Sequence, residues 1–164
     1  MKRNHVLGAL AAALLVGLAG CKPDQEIAAG KPAAELAALD FAGTPVRLDG
    51  LKGQVVLLNF WSGGCGPCIA EMPALDAVYR ANRDKGFTIL ALNMGEPEAA
   101  VKQAAARLGV SFPVLLDSLR ITTDRYRVIG APTSFLIDGE GRLVEKFIGP
   151  IDIAGFEKQL SGLL

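Results

Sequence analysis

The chain has 164 residues, enough for one ordinary domain and a short appendage. Its 17 Lys and Arg balance its 17 Asp and Glu, and removing the first twenty positions, which hold Lys2 and Arg3, leaves a net charge of −2; nothing here favours binding to nucleic acid. There are three cysteines, Cys21, Cys65 and Cys68, and the only histidine is His5, so the body of the chain lacks a Cys–His or Ser–His nucleophile pair and any imidazole for zinc.

Met1 to His5 is a short basic start, and Val6 to Leu18 is an apolar run of 13 residues. That run is shorter than the roughly 20 residues of a membrane-crossing helix. A basic start, a short apolar core and small residues read as a secretory signal over residues 1–20. Leu18-Ala19-Gly20-Cys21 resembles the bacterial lipobox. The resemblance implies cleavage before Cys21, lipidation of its sulfur and acylation of its amine, and hence a protein anchored on the periplasmic side of a bacterial membrane. Several acyl chains anchor stably where one binds only marginally. Lys22, standing where Asp would retain such a lipoprotein in enterobacteria-like sorting, points to the outer membrane. The alternative is an ordinary signal peptide cut nearby, with Cys21 a plain thiol. Residues 21–36 read as a tether, Lys-Pro-Asp-Gln-Glu followed by Ala and Gly without a periodic apolar face. Residues 37–164 remain as the domain.

Within it, Leu39 to Leu48 contains two short extended pieces around Ala42-Gly43-Thr44, a hairpin. Gln54 to Trp61 is almost continuously apolar and β-rich, which fits a central strand covered on both faces. Gly63 and Gly64 break it. Cys65 to Lys85 has helical spacing, with Ile69, Met72, Leu75, Val78 and Tyr79 apolar. Phe87 to Asn93 reads as a second buried strand, and Glu96 to Leu108 as a helix closed by Gly109. A strand over Phe112 to Leu116 and a short helix near Leu119 to Arg127 follow. Thr133 to Ile137 and Arg142 to Ile148 read as strands joined by Asp138-Gly139-Glu140-Gly141, a hairpin turn. Ile153 to Leu164 closes the chain as an amphipathic helix. This order predicts an α/β domain, a mixed sheet with helices on both faces.

Chemistry concentrates at Cys65-Gly66-Pro67-Cys68, between a central strand and a helix. Cys65 falls just before that helix, where unpaired N–H groups and the macrodipole favour an anion. A free thiol has a pKa of about 8.5, and in such motifs it falls to about 3.5–7.5. Pro67 is tolerated in a first helical turn, where its missing N–H costs nothing. Cys68, three residues on, is close enough to form a disulfide with Cys65. Attack by Cys65 on a substrate disulfide, followed by attack of Cys68 on Cys65, would release reduced substrate, and the reverse would oxidise it. Two structural readings compete. Half a zinc site lacks two further ligands outside the leader region, and an inert staple across two residues would constrain little of the unfolded chain.

Asn59-Phe60-Trp61, Cys65-Gly66-Pro67-Cys68, Glu71-Met72-Pro73 and Ala131-Pro132-Thr133, in this order, resemble the thioredoxin superfamily. The insert around Glu96 to Leu108 and the run Ser111 to Asp117 resemble its TlpA/ResA-like branch of membrane-tethered bacterial thiol–disulfide oxidoreductases. The resemblance runs from about Phe41 to the end. It implies a thioredoxin-like fold, a central mixed β-sheet flanked by helices, with an N-terminal β-hairpin and a central helical insert. It also implies a redox-active Cys65–Cys68 disulfide as the whole redox equipment, with no separate cofactor and no metal. Pro132 matches a cis proline facing the cysteines, although by itself it also fits an ordinary proline at a strand entry, and Trp61, Gly66, Pro67, Ala131 and Thr133 match the surface that receives an extended client segment. Glu71, one helical turn past Cys68, matches an acid that tunes the pair and handles protons; by itself it also fits a carboxylate interacting with the helix dipole. Pro73 lies inside the helical pattern, where it should kink the helix.

Two positions depart from the pattern. Asn59 stands where thioredoxin has a buried acid, leaving Glu71 as the side chain for proton transfer. Gly64 replaces the aromatic residue common before the first cysteine, opening the approach to Cys65. The resulting expectation is a periplasm-facing disulfide reductase kept reduced by a membrane electron donor, acting on secreted disulfide proteins such as apocytochrome c, or running in the oxidising direction. Two alternatives share the fold. One is a Cu(I)-binding module on the two thiolates, although related copper chaperones use a wider cysteine pair and a histidine. The other is a peroxiredoxin-like peroxidase, although Ser62-Gly63-Gly64-Cys65 lacks the Thr/Pro flank of a peroxidatic cysteine.

Overall fold

The structure, a computed structural model, describes residues 26–164. The leader, the lipobox and Cys21 lie outside the described residues. The two uninterrupted apolar runs become β3 (Val55–Trp61) and β4 (Phe87–Asn93), buried along their whole length. Such strands need cover on both faces, and they form the parallel centre of the sheet, in register from Val55 opposite Phe87 to Trp61 opposite Asn93. β6 (Thr133–Ile137) joins β3 antiparallel, and β7 (Leu143–Ile148) joins β6. On the other side β5 (Val114–Leu116) lies parallel to β4, followed by the short hairpin of β1 (Ala38–Leu39) and β2 (Pro45–Val46). The order is β2-β1-β5-β4-β3-β6-β7.

Side chains alternate along β3 between two cores. Val55, Leu57 and Trp61 face Cys68, Met72, Leu75 and Val78 of α1 (Gly66–Asn82), Val101 and Ala104 of α2 (Glu98–Leu108), and Phe156 and Leu160 of α4 (Ile153–Ser161). Val56, Leu58 and Phe60 face the other way, towards Tyr126, which follows α3 (Ile121–Arg125), and Phe135. The period places Asn59 on the α1 side, a wholly buried amide in an otherwise apolar row. At the β6–β7 turn Asp138 Oδ1 accepts the N–H groups of Glu140 and Arg142, and Gly141 sits at φ 81°, a left-handed conformation that favours glycine.

Two features go beyond the sequence reading. A 3-10 turn occupies Leu48–Leu51. The end of the segment assigned to the tether, residues 30–36, is docked on the body. Gly30 N–H donates to the Leu143 carbonyl at 2.7 Å, Leu143 N–H to Lys31 at 2.8 Å, and Ala33 N–H to Gly141 at 2.8 Å. Ala34 is 3% exposed, and its carbonyl accepts from Tyr126 Oη at 2.7 Å. Backbone pairing, the buried Ala34 and the partly buried Ala33 and Leu36 packed against the Tyr126 cluster hold this stretch, too few apolar side chains to announce it by a period.

Candidate active site

The turn of β3 into α1 builds the site. Cys65 is the N-cap of α1, with φ −87° and ψ 97°, and its Sγ accepts the Cys68 N–H at 3.2 Å. The two sulfurs are bonded at 2.04 Å. Gly66 and Pro67 are exposed, Cys65 is half-buried and Cys68 is 0% exposed. Only Cys65 Sγ can therefore be approached from outside, and it is the sulfur that sits on the free N–H groups of a helix start. A negative charge released there on reduction meets both a donor and the positive end of α1.

Behind the disulfide lies a buried polar cluster. Glu71 is 7% exposed. Its Oε1 accepts from Asn59 Nδ2 at 3.1 Å, and its Oε2 from the Ile151 N–H at 3.1 Å. Burial pushes its pKa above the ordinary glutamate value, against the opposing pull of those two donors. Asn59 Nδ2 also donates to Ser134 Oγ at 2.9 Å. The expected pairing of Glu71 with the cysteine helix is thus joined by residues from β3, β6 and the segment entering α4. Pro73 lies within α1 and has no N–H to give the Ile69 carbonyl.

A second carboxylate grips the loop before Cys65. Ser62 O accepts the Cys65 N–H at 3.1 Å, closing a turn over Gly63 and Gly64. Glu96 Oε2 accepts the Gly63 N–H at 2.6 Å and also the Asn93 side-chain amide, while Asn93 Oδ1 takes the Glu96 N–H at 3.0 Å. A Cβ on Gly63 would stand 3.3 Å from Glu96 Oε1, so glycine there lets the carboxylate close in. Sequence reasoning treated Gly63 only as a strand breaker and did not find Glu96; no local pattern signals a partner 33 residues away. A Cβ on Gly64 meets nothing within 4 Å, leaving that flank of Cys65 uncovered.

The Ala131–Pro132 peptide is cis. Thr133 is paired with Phe60, so the proline loop lies at the end of the sheet where β3 runs out towards Cys65. Two residues expected on the client surface are not there. Trp61 is wholly buried and backs the disulfide together with Cys68 and Met72. Thr133 is buried, paired in the sheet with both Phe60 and Ile148, and its Oγ1 donates to the Gly130 carbonyl at 2.7 Å. Both serve the framework of the site; Gly66, Pro67 and Ala131 retain accessible surface.

A redox-active pair at a helix start, a cis proline beside it and a buried acid behind it are features on which proteins can be compared. A family profile for redoxins matches residues 28–160. The chain belongs to the redoxin family. It is 37% identical over 159 residues to the thiol–disulfide oxidoreductase ResA of Bacillus thuringiensis (strain Al Hakam), covering 91% of each chain. It is 38% identical over 125 residues to ResA of Bacillus subtilis (strain 168), covering 76% of this chain and 70% of that one. Among solved structures, a protein from Chlorobium tepidum assigned as the thiol:disulfide interchange protein DsbE superposes with a TM-score of 0.79 at 30% identity, covering 84% of this chain and 99% of that one. This redoxin is a ResA-like thiol–disulfide oxidoreductase with a thioredoxin-like fold, and its partners are proteins carrying dithiols or disulfides. Among the described residues, no helix is long and apolar enough to cross a membrane.

Proposed function

We propose that this oxidoreductase reduces protein disulfides on the outer side of a bacterial cytoplasmic membrane, held to a membrane by lipid on Cys21 and recycled by a membrane electron donor. Disulfides of secreted proteins, including those of apocytochrome c, are the clients, and the Cys65–Cys68 pair is the entire redox equipment. The Cys65 thiolate attacks one sulfur of the client disulfide, and the other leaves as a thiolate. Cys68 passes its proton to the Glu71 carboxylate and attacks Cys65 Sγ. The client's second sulfur then departs as a thiolate, and the oxidised pair seen in the structure is regenerated. The observation carrying this reading is the division of labour between the sulfurs: one reachable at a helix start, one wholly buried a helical turn from a buried carboxyl. Ile129, 100% exposed just before the cis proline, and Ile148, 81% exposed and paired with Thr133, offer an apolar client segment two contacts.

Two measurements test it. Cys68→Ser, which can form the mixed disulfide but cannot resolve it, should accumulate covalent adducts with client, while Cys65→Ser accumulates none. A reduction potential near the thioredoxin value of about −270 mV supports the reductive direction, and one near about −120 mV would reverse it.

A further inference from the structure

The buried cluster behind the disulfide contains an asymmetry that the proton-accepting role does not by itself explain. Asn59 is wholly buried, and its Nδ2 carries two hydrogen bonds, to Glu71 Oε1 and Ser134 Oγ. Its Oδ1 has no hydrogen-bond partner among the described residues. A buried acceptor left in this way is expensive, on the order of 1–3 kcal/mol. A side-chain amide, however, is nearly symmetric in shape and opposite in hydrogen-bonding sense at its two ends.

The partners are suited to a reversal. Ser134 Oγ accepts from Nδ2 and, with its hydroxyl rotated, can donate to an oxygen in the same place. Glu71 Oε2 faces the Ile151 N–H, a backbone group that can only donate. A proton arriving on Glu71 is therefore directed to Oε1, the oxygen that faces Asn59. Once it is there, Oε1 becomes a donor and needs an acceptor opposite.

We propose that Asn59 is a positioning residue that holds Glu71 in one place through both halves of the proton cycle by turning its amide end for end. With Glu71 ionised, Nδ2 donates to Oε1 and to Ser134. With Glu71 protonated, Oδ1 accepts from Glu71 Oε1–H and from the Ser134 hydroxyl. Two hydrogen bonds are made in each state, and the end turned away from them is unpaired in both, Oδ1 in one and Nδ2 in the other; the carboxyl thus gains and loses its proton without leaving its place behind Cys68. An aspartate at position 59 could only accept, and a leucine could do neither. The inference rests on the proton-accepting role proposed for Glu71.

The charged groups around the cluster leave this exchange to the neutral partners. The cysteine pair faces it from α1, Asn59 from β3, Ser134 from β6, and the Ile151 backbone from the segment entering α4. Asp76, further along α1, is engaged by Ser111 and Arg80. The Asp152 carboxylate lies over Gly155 on its own helix, and Glu157 and Lys158 are exposed.

The test follows the amide directly. In the intact oxidised protein, carboxyl NMR titrates Glu71 while nuclear Overhauser contacts are recorded between the Asn59 NH2 and the Ser134 methylene protons. The contacts should be present above the Glu71 midpoint and lost below it; contacts unchanged across the titration overturn the proposal. In Glu71→Gln the Ile151 N–H takes the glutamine oxygen, turning the glutamine NH2 towards Asn59, so the contacts should be missing at every pH; their persistence also overturns it. Asn59→Leu should slow resolution of the mixed disulfide at pH 7 about tenfold and move its pH profile upward, and an unmoved profile counts against the proposal. Should Glu71→Gln instead resolve the mixed disulfide at the wild-type rate at every pH, the role of Glu71 itself falls, whichever way the amide points.

Discussion

Glu71 gives up water to sit where it does, and that has a thermodynamic sign. Burial raises its pKa above the ordinary glutamate value, so between the unfolded and the folded pKa the native state holds a proton that the unfolded chain has lost. Stability therefore falls as pH rises through that window and stays lowered above it. Glu71→Gln keeps an oxygen for the Ile151 N–H and removes the charge. The variant should melt higher than wild type at pH 8, with the gap closing as pH falls below the ordinary glutamate value. A variant that melts lower at pH 8 would show that the carboxylate is a net stabiliser. Removing the group should thus slow chemistry while firming the fold, the usual exchange at a site built for function.

At the scale of elements, the turn between β3 and α1 is held from outside. Glu96, at the end of the loop leaving β4, grips the Gly63 N–H, and Gly63 is bare so that it can. Glu96→Ala should loosen the turn and change the alkylation rate of Cys65 in the reduced protein. Gly63→Ala should act through the same contact, so the two changes together should cost clearly less than the sum of each alone. Additive effects would mean that the contact does not govern the turn. Periodicity and the cysteine spacing made β3, α1, β4, Cys65 and Cys68 legible in advance, because each obeys a local rule; spacing placed Glu71 one turn past Cys68, and only the family resemblance marked it as more than a carboxylate near a helix start. Glu96 obeys none; its role exists only once β4 lies beside β3. The misplacement of Trp61 and Thr133 has the same origin. Nearness to the cysteines in sequence or motif does not say which face of a strand a side chain takes, and both are turned inward.

On the scale of the whole molecule, the body begins earlier than composition suggested. Residues 30–36 lie along the start of β7 and under Tyr126, whose hydroxyl meets the Ala34 carbonyl. Tyr126→Phe leaves that buried carbonyl without its donor, a loss of about 1–2 kcal/mol. Limited proteolysis should then cut near Gly30 sooner than in wild type, with the rest of the domain intact. Equal protection would show that backbone pairing with Leu143 and Gly141 suffices. The mixed sheet and the helices on both faces followed from strand–helix alternation; the strand order and this docking did not, because both are set by pairing between distant segments, and a stretch of mostly small residues held largely through its backbone leaves little hydropathy signature.

The burial of Cys68 beside a half-open Cys65 has a kinetic consequence. Whatever delivers electrons and whatever removes them must call at a single doorway, one visitor at a time. No ternary complex can form, and the enzyme must shuttle between two stable forms. Initial velocities measured against client at several fixed concentrations of donor should give parallel double-reciprocal lines, the mark of a ping-pong scheme, and intersecting lines would reveal a second entrance.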